Sequence, residues 1–245
     1  MAKTKYNKIY HELKMKIESE EYHHGDLIPS ESVLVAEYDC SRNTVRRAIA
    51  ELVSLGYLQS IKGKGVRVIY QPDEPSFYSL GKIESFKEAA IRNRKNVVTK
   101  ILLFKEITVD EQLHKKVPFE VGAEVYYLQR LRFIDGKAST IDHNYFLKSV
   151  MPGFNQTIAE HSIYEYLEDI LHVEIVSTRR IVKVKRINKL DEENLELNGA
   201  NCVAAVENYT YNSDGIMFEF TESRHTPDDF VFNDRAHRVK ELMDF

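Results

Sequence analysis

Basic and amide side chains crowd one end of an amphipathic segment that runs from Ser41 to Gly56. Its apolar residues recur at helical spacing and form one stripe: Val45, Ala48, Ile49, Leu52 and Val53. Four polar residues lie off that stripe, near its amino end: Arg42, Asn43, Arg46 and Arg47. Arginine fits guanine and asparagine fits adenine through paired hydrogen bonds. The segment therefore predicts a helix that reads DNA bases, with Ser41 as its N-cap.

A second basic feature follows in a predicted hairpin from Tyr57 to Tyr70. Its turn is Lys62-Gly63-Lys64-Gly65, in which glycine permits a tight turn and a close approach to another surface. The two lysines at the tip suit a sugar-phosphate backbone. Each feature alone also fits an ordinary solvated helix or turn, but a capped helix pair followed by a basic wing favours DNA binding.

Two arginines, Arg130 and Arg132, stand two residues apart on a predicted strand and so share one face. If that face is inward, the two guanidinium groups require an anion, and their planar forks suit carboxylate or phosphate. An outward face, or pairing with a local acid such as Asp142, explains the same spacing. The residues leave both interpretations open.

Acids and aromatic residues within other apolar strands could contact a sugar. The candidates are Asp142, Tyr145 and Glu219, because carboxylates accept hydrogen bonds from hydroxyls and a ring can cover an apolar sugar face. Ser162 opens a predicted helix, where free amides could bind phosphate. Structural hydrogen bonds and ordinary helix capping are the alternatives for each of these residues.

Composition limits the class of protein. The chain has 245 residues and a net charge of -4, of which the first 70 residues contribute about +2 and the rest about -6. Contact with DNA is therefore expected within residues 1–70. No apolar run is long enough for a membrane span or signal peptide, so a cytoplasmic protein is expected. No metal-ligand spacing, nucleophile-base pair or phosphate loop is evident, so neither a cofactor nor an enzyme is expected.

Periodicity predicts an α+β protein with an N-terminal winged helix-turn-helix at 1–70, a linker at 71–79 and a second domain at 80–245. The second domain is expected to contain a largely antiparallel sheet. Its predicted strands span 97–108, 124–134, 139–146, 175–186, 202–211 and 217–225. Its predicted helices span 85–94, 110–115, 162–171 and 191–197.

The run LIPSESVLVAEYDCSRNTVRRAIAELVSLGYLQSIKGKGVRV resembles the DNA-binding domain of GntR-family bacterial transcription regulators. This resemblance implies DNA contacts from the recognition helix and the wing. The matching positions are Arg42, Asn43, Thr44, Arg46, Lys62 and Gly63.

The second domain resembles the UTRA effector domain of the HutC subgroup, with a chorismate-lyase-like fold, through SFKE, HSIYEYLED and FTESRHTPDDFVFNDRAHR. The resemblance implies a phosphorylated sugar as effector, with trehalose 6-phosphate as the expected inducer. It implies that the phosphate is held by Arg130, Arg132 and Ser162, with Ser85 or Lys87. It implies that the sugar faces Asp142, Tyr164, Glu219 and His225.

These features together predict a homodimeric repressor that binds double-stranded operator DNA and leaves it when the sugar phosphate binds. One alternative is a regulator of the same subgroup that responds to another sugar phosphate or to a small acid. An alternative of another class is a chorismate-lyase-like enzyme, which turnover of a sugar phosphate by residues 71–245 would reveal.

Overall fold

The computed structural model describes residues 5–71, 77 and 82–232, which fall into two compact units. The linker predicted at 71–79 lies mostly outside these residues, as does the chain after residue 232.

The described residues of the N-terminal unit form three helices and one hairpin. Helices α1 (Lys5–Glu18), α2 (Glu31–Tyr38) and α3 (Arg42–Ser54) are followed by strands β1 (Leu58–Ile61) and β2 (Gly65–Val68). The apolar stripe of α3 packs against α1 and the hairpin in one core, in which Ile9, Leu13, Val45 and Leu52 are almost fully buried. The predicted winged helix-turn-helix is confirmed.

Short polar side chains set the ends of α2 and α3. The Oγ atoms of Ser30 and Ser41 accept hydrogen bonds from the amides of Val33 and Thr44, at 3.4 and 3.2 Å. Asp39 ends α2 in the left-handed conformation, with φ of 45°. This tight turn brings the chain into α3 after three residues, which is the helix-turn-helix connection.

The C-terminal unit is built on one sheet of six strands. The strands are β3 (Val97–Thr108), β4 (Glu124–Ile134), β5 (Lys137–Leu147), β6 (Ile175–Arg186), β7 (Cys202–Asn212) and β8 (Met217–His225). Their order is β3-β4-β5-β8-β7-β6, and every pair is antiparallel. The predicted α+β class with an antiparallel sheet is therefore confirmed.

In the described part of this unit, five α-helices accompany the sheet: α4 (Phe86–Asn93), α5 (Glu111–His114), α6 (Gln156–Ala159), α7 (Ile163–Glu165) and α8 (Lys189–Asn194). Helix α7 continues into a π-helical turn at Tyr166–Ile170. The predicted helix at 191–197 begins earlier, because Asn188 and Asp191 form a reciprocal capping box at its start. Helix α6 was not predicted from the sequence, since its four residues are too few to show a period.

Side chains alternate between the two faces of the sheet, and cross-strand neighbours share a face. One row aligns Arg130, Asp142, Ser223 and Val206 across β4, β5, β8 and β7. The adjacent row on the same face aligns Leu128, Asn144, Thr221 and Asn208, and ends at Arg180 of β6. This face therefore carries a band of polar residues across five strands.

Apolar clusters lie beside that band and on the opposite face of the sheet. Phe146, Phe154, Ile163 and Leu167 pack the α6–α7 region onto the polar face. On the opposite face, Leu131, Ile141 and Val203 pack against α8, and a separate cluster around Phe119 packs near α5. The polar band lies between α4 and α7, where the apolar covering stops.

Candidate functional site

A cavity of about 950 Å³, counted with the space at its open mouth, lies over the polar band of the sheet. Residues from β4, β5, β6, β7 and β8 form its floor, and α4 and α7 contribute its sides. Eight of the nine predicted effector-binding residues line it: Ser85, Arg130, Arg132, Asp142, Ser162, Tyr164, Glu219 and His225.

The two predicted arginines face inward and share one carboxylate. Arg130 and Arg132 are 5% and 7% exposed, and Asp142 between them is 7% exposed. The Nε of Arg132 donates to Asp142 at 2.8 Å, and Nη2 of Arg130 lies 3.8 Å from the same oxygen. Both interpretations of the spacing are thus partly right, since the arginines are buried and Asp142 is their partner.

Burial and the neighbouring charges change the pKa of Arg130 in the same direction and that of Asp142 in opposite directions. Burial, followed by the neighbouring Arg132, lowers the pKa of Arg130 to about 9, so Arg130 stays charged at neutral pH. Burial alone would raise the pKa of Asp142, but Arg132, Arg130 and the Ser223 hydroxyl outweigh it and lower that pKa. Two cations therefore face one ionised carboxylate.

A chain of hydrogen bonds links Arg130 to the far side of the floor. Its Nε donates to Asn144 at 2.8 Å, whose amide donates to the Thr221 hydroxyl at 2.7 Å. Thr221 and Tyr164 then donate to the two oxygens of Glu219, at 2.7 and 2.8 Å. Burial raises the pKa of Glu219 despite these donors, and burial with Glu219 raises that of Tyr164.

His225 stands at the end of β8 and is 3% exposed. Its Nδ1 lies 3.0 Å from the Thr140 hydroxyl, and its ring lies 5.1 Å from that of Phe230. Burial lowers its pKa to about 4, against a weaker opposing effect of Asp142. At neutral pH this imidazole is uncharged, so it offers a ligand hydrogen bonds but no positive charge.

A third arginine, Arg180 of β6, also lines the cavity. Its Nε donates to Asn208 at 3.0 Å and its Nη2 donates to the Lys82 carbonyl at 2.7 Å. Burial lowers its pKa. Glu84 also lines the cavity. It pairs at 2.7 Å with Arg92, which is not among the lining residues.

Three guanidinium groups, those of Arg130, Arg132 and Arg180, line the cavity together with the carboxylates of Glu84, Asp142 and Glu219. Arg130 and Arg132 share Asp142, whereas Glu84 pairs with Arg92. The guanidinium of Arg132 also lies 4.7 Å from the Phe86 ring, which covers it from α4. Two buried guanidinium groups that share a single carboxylate favour an anionic ligand.

The two serines that begin α4 and α7 both line the cavity. Ser85 Oγ accepts from the Glu88 amide at 3.2 Å, and Ser162 Oγ accepts from the Glu165 amide at 3.3 Å. The ninth predicted residue, Lys87, is absent from the lining. Its ammonium pairs with Glu165 at 2.8 Å, and both side chains are at least half exposed. Of the two candidates in this loop, Ser85 is the one that faces the cavity.

Strand alternation explains which residues sequence reasoning missed. Asn144 follows Asp142 by two positions, and Thr221 and Ser223 follow Glu219 by two and four, so their shared face could have been counted. Arg180 gave no such signal, because Arg179 beside it is equally basic. Tyr145 was wrongly grouped with Asp142: three positions separate them, and Tyr145 stacks on Tyr127 at 4.6 Å on the opposite face.

The predicted DNA-reading residues occupy the start of α3. Arg42 and Asn43 are exposed, and Thr44 is half-buried with its hydroxyl 2.9 Å from Ser41. Arg46 is exposed and donates through Nε to both carboxylate oxygens of Glu31, at 3.0 and 2.9 Å. These residues form an exposed polar patch beside the helix-turn-helix connection.

Arg47 differs from the other arginines of α3, since its guanidinium lies 4.5 Å from the centre of the Tyr6 ring on α1. Lys62 and Lys64 are exposed at the tip of the β1–β2 hairpin. Gly63 between them has φ of +75°, a left-handed conformation that glycine adopts readily. The tip thus presents two cations on a tightly turned backbone.

Two negative findings concern the described residues alone. They contain no group of three or more His, Cys, Asp or Glu side chains that could hold a metal ion. Among their helices, none has the length and apolar character needed to cross a membrane.

Relatives of known type share this architecture. The HTH-type transcriptional regulator TreR of Bacillus subtilis is 33% identical over 240 residues, which covers 98% of this chain and 100% of TreR. The solved effector binding domain of the B. subtilis trehalose repressor (TreR) matches 58% of this chain and 99% of its own, with 31% identity and a TM-score of 0.52.

The solved structure of YydK, a possible transcriptional regulator of B. subtilis, has a TM-score of 0.72 over 96% of this chain and 100% of its own. At 22% identity, YydK shows the shared fold alone. TreR is a named transcriptional regulator, which confirms the expectation that this chain is a regulator and not an enzyme.

Two family descriptions cover most of the chain. "Bacterial regulatory proteins, gntR family" matches residues 5–68, which include the three helices and the wing. "UTRA domain" matches residues 92–231, which include the six-stranded sheet and most of the cavity. The chain therefore belongs to the GntR family of bacterial regulatory proteins and is a transcriptional regulator whose C-terminal unit is a UTRA domain.

Proposed function

We propose that this regulator is a homodimeric repressor of a sugar-utilisation operon, released from its operator by trehalose 6-phosphate. The observation that carries the proposal is the pair of buried guanidinium groups, Arg130 and Arg132, which line the cavity and share a single carboxylate, Asp142. The identity to TreR, described in its solved form as a trehalose repressor, supports trehalose as the sugar.

The phosphate is assigned to the side of the cavity formed by β4, α4 and α7. Arg130 and Arg132 offer planar donor forks, and Ser85 and Ser162 offer hydroxyls at the starts of α4 and α7. A bound phosphate monoester, with a charge of about -1.5 to -2, would compete with Asp142 for these donors. Free trehalose lacks this charge and should bind far more weakly.

The sugar is assigned to the polar residues beyond the phosphate. Asp142, Tyr164, Glu219 and His225 supply acceptors and donors for hydroxyl groups, together with the amides of Asn144 and Asn208. Most of these groups already satisfy one another by hydrogen bonds. A sugar whose hydroxyl groups replace these contacts without leaving a buried polar group unpaired should bind more tightly than a sugar that leaves one unpaired.

DNA contact is assigned to the exposed start of α3 and to the wing. Arg42, Asn43, Thr44 and Arg46 are proposed to enter the major groove, with Lys62, Gly63 and Lys64 on the phosphate backbone. A homodimer would place two copies of α3 one helical turn apart, about 34 Å, on a near-palindromic operator. Moving from mostly bound to mostly free needs about 5 kcal/mol of differential effector affinity, transmitted through the linker at 71–79.

The direct test is a titration of protein-bound duplex DNA with candidate effectors. The duplex is first recovered from a random-sequence pool by selection with the wild-type protein. Fluorescence anisotropy should then report release by trehalose 6-phosphate, weaker release by glucose 6-phosphate and none by trehalose at the same concentration. Equal release by trehalose would exclude the arginine-phosphate contact, and no release by any of the three would exclude a sugar phosphate of this kind.

Matched variants connect release to the cavity. Arg132→Lys keeps the charge but removes the fork, so this variant should bind the duplex normally and need about tenfold more effector for release. Arg94→Lys is the control, because Arg94 is an exposed arginine of the same unit that does not line the cavity. Release of Arg132→Lys at the wild-type concentration would contradict the assigned role of Arg132.

A further inference from the structure

The contact between Glu31 of α2 and Arg46 of α3 places a carboxylate beside the proposed DNA-reading residues. Both side chains are solvent-accessible, with 36% of Glu31 and 63% of Arg46 exposed. Exposed ion pairs add little to stability. A negative charge in this position also opposes binding to phosphates. Neither fold stability nor general DNA affinity accounts for this contact.

The geometry of the contact decides which edge of Arg46 is available. Nε of Arg46 donates to both oxygens of Glu31, at 3.0 and 2.9 Å. This occupies the donor at the side of the guanidinium and leaves the two Nη atoms at its outer edge. Two parallel N–H donors on that edge match the O6 and N7 acceptors of guanine in the major groove.

The carboxylate itself is held by rigid structure. Glu31 is the first residue of α2, which begins at the Ser30 cap, and Arg46 follows Val45, a fully buried residue of α3. Leu34 of α2 and Val45 pack in the same core, so the two helices are fixed relative to each other. Glu31 therefore restricts a long side chain that would otherwise sample many rotamers before it bound DNA.

We propose that Glu31 is a positioning residue for base recognition: it holds Arg46 with its Nη edge directed outward and so raises discrimination between DNA sequences at the expense of overall affinity. The inference rests on the proposed contact between Arg46 and a base. It predicts that the loss of Glu31 lowers the affinity for selected DNA relative to the affinity for other DNA, although the substitution removes a negative charge.

The test compares the full-length wild-type protein with Glu31→Ala, using the selected duplex and a scrambled duplex of the same composition. Anisotropy measures both dissociation constants. The ratio compared between variants is the dissociation constant for the scrambled duplex divided by that for the selected duplex. We expect Glu31→Ala to reduce this ratio about tenfold and to bind the scrambled duplex more tightly. Glu31→Gln, which keeps an acceptor for Nε without the charge, should retain most of the ratio.

Two further variants separate orientation from charge. Glu37→Ala removes the same charge from an exposed position of the same helix and should change both affinities by the same factor. In an Arg46→Ala background, Glu31→Ala should leave the ratio unchanged, because its effect passes through Arg46.

An unchanged ratio for Glu31→Ala, or the same reduction in the Arg46→Ala background, would overturn the inference. If Arg46→Ala alone leaves the affinity for the selected duplex unchanged, the proposed DNA contact of Arg46 fails with it. If Arg46→Ala weakens that affinity and Glu31→Ala leaves the ratio intact, the positioning role alone fails. Circular dichroism of each variant confirms that the fold is retained.

Discussion

Replacement of Asp142 by asparagine should destabilise the C-terminal unit and make its stability depend on added anions. Asp142 is 7% exposed and lies 2.8 Å from Arg132 and 3.8 Å from Arg130. Asparagine keeps an acceptor near Arg132, so the change removes mainly the charge. Breaking a buried ion pair costs about 3–5 kcal/mol because the remaining charge is uncompensated. We expect about 3 kcal/mol, since the hydrogen bond survives.

The assay is thermal unfolding followed by far-UV circular dichroism, because the chain has no tryptophan for fluorescence. For a unit of this size, about 3 kcal/mol corresponds to a midpoint lower by about 6–12 °C. Inorganic phosphate should restore part of the loss, because it can take the place of the carboxylate. At ten times its dissociation constant it would add about 1.4 kcal/mol. Chloride at equal ionic strength is the comparison salt.

Asp135→Asn provides the matched control. Asp135 also pairs with a cation, Lys95, at 2.7 Å, but both side chains are about half exposed. Its midpoint should be almost unchanged and should not respond to phosphate. Two results would show that Asp142 does not balance the charge of the two arginines. One is an unfolding midpoint of Asp142→Asn equal to that of the wild type. The other is that phosphate stabilises Asp142→Asn no more than it stabilises Asp135→Asn.

Three further predictions concern single residues. Burial lowers the pKa of His225 to about 4, so this residue takes up a proton on unfolding at pH below about 6.5. The free energy of unfolding should therefore fall by up to about 3 kcal/mol between pH 6.5 and 4. In urea titrations, His225→Gln should lack this pH-dependent loss. Asp191→Asn should lower stability by about 3 kcal/mol in urea, because Arg224, 2.6 Å away, is left buried with less compensation; a cost below 1 kcal/mol would contradict this. Gly63→Ala should cost about 1 kcal/mol in the N-terminal unit, because φ of +75° is strained for alanine although space is open around it, and Lys62→Ala should show no such loss.

Sequence reasoning was most successful where a regular period extends over many residues. The strands Val97–Thr108, Glu124–Ile134 and Ile175–Arg186 have the predicted limits, and the apolar stripe of α3 is buried as predicted. The grouping of the effector-site residues was harder to predict from the sequence. The order of the strands and the packing of α7 on the sheet bring Arg130 near Ser162. Neither appears as a local pattern, so resemblance to a family supplied that grouping.

Some features could not be predicted from the chain because they depend on which partner a charged group selects. Spacing placed Arg130 and Arg132 on one face but could not choose between a ligand and Asp142 as their anion. It likewise could not show that Lys87 pairs with Glu165, or that Glu31 reaches Arg46 from another helix. Arg180 was missed since two adjacent arginines hide which one faces inward.

The alternation of side chains along the strands also bears on how new ligand preferences can arise or be engineered. Residues 130, 132, 142, 144, 219, 221 and 223 face the cavity, whereas Leu131, Ile141 and Phe220 belong to clusters on the opposite face. A substitution at one of the cavity positions changes the chemistry offered to a ligand and leaves those clusters intact. The same scaffold can therefore be given different pockets by exchanging every second residue of three neighbouring strands.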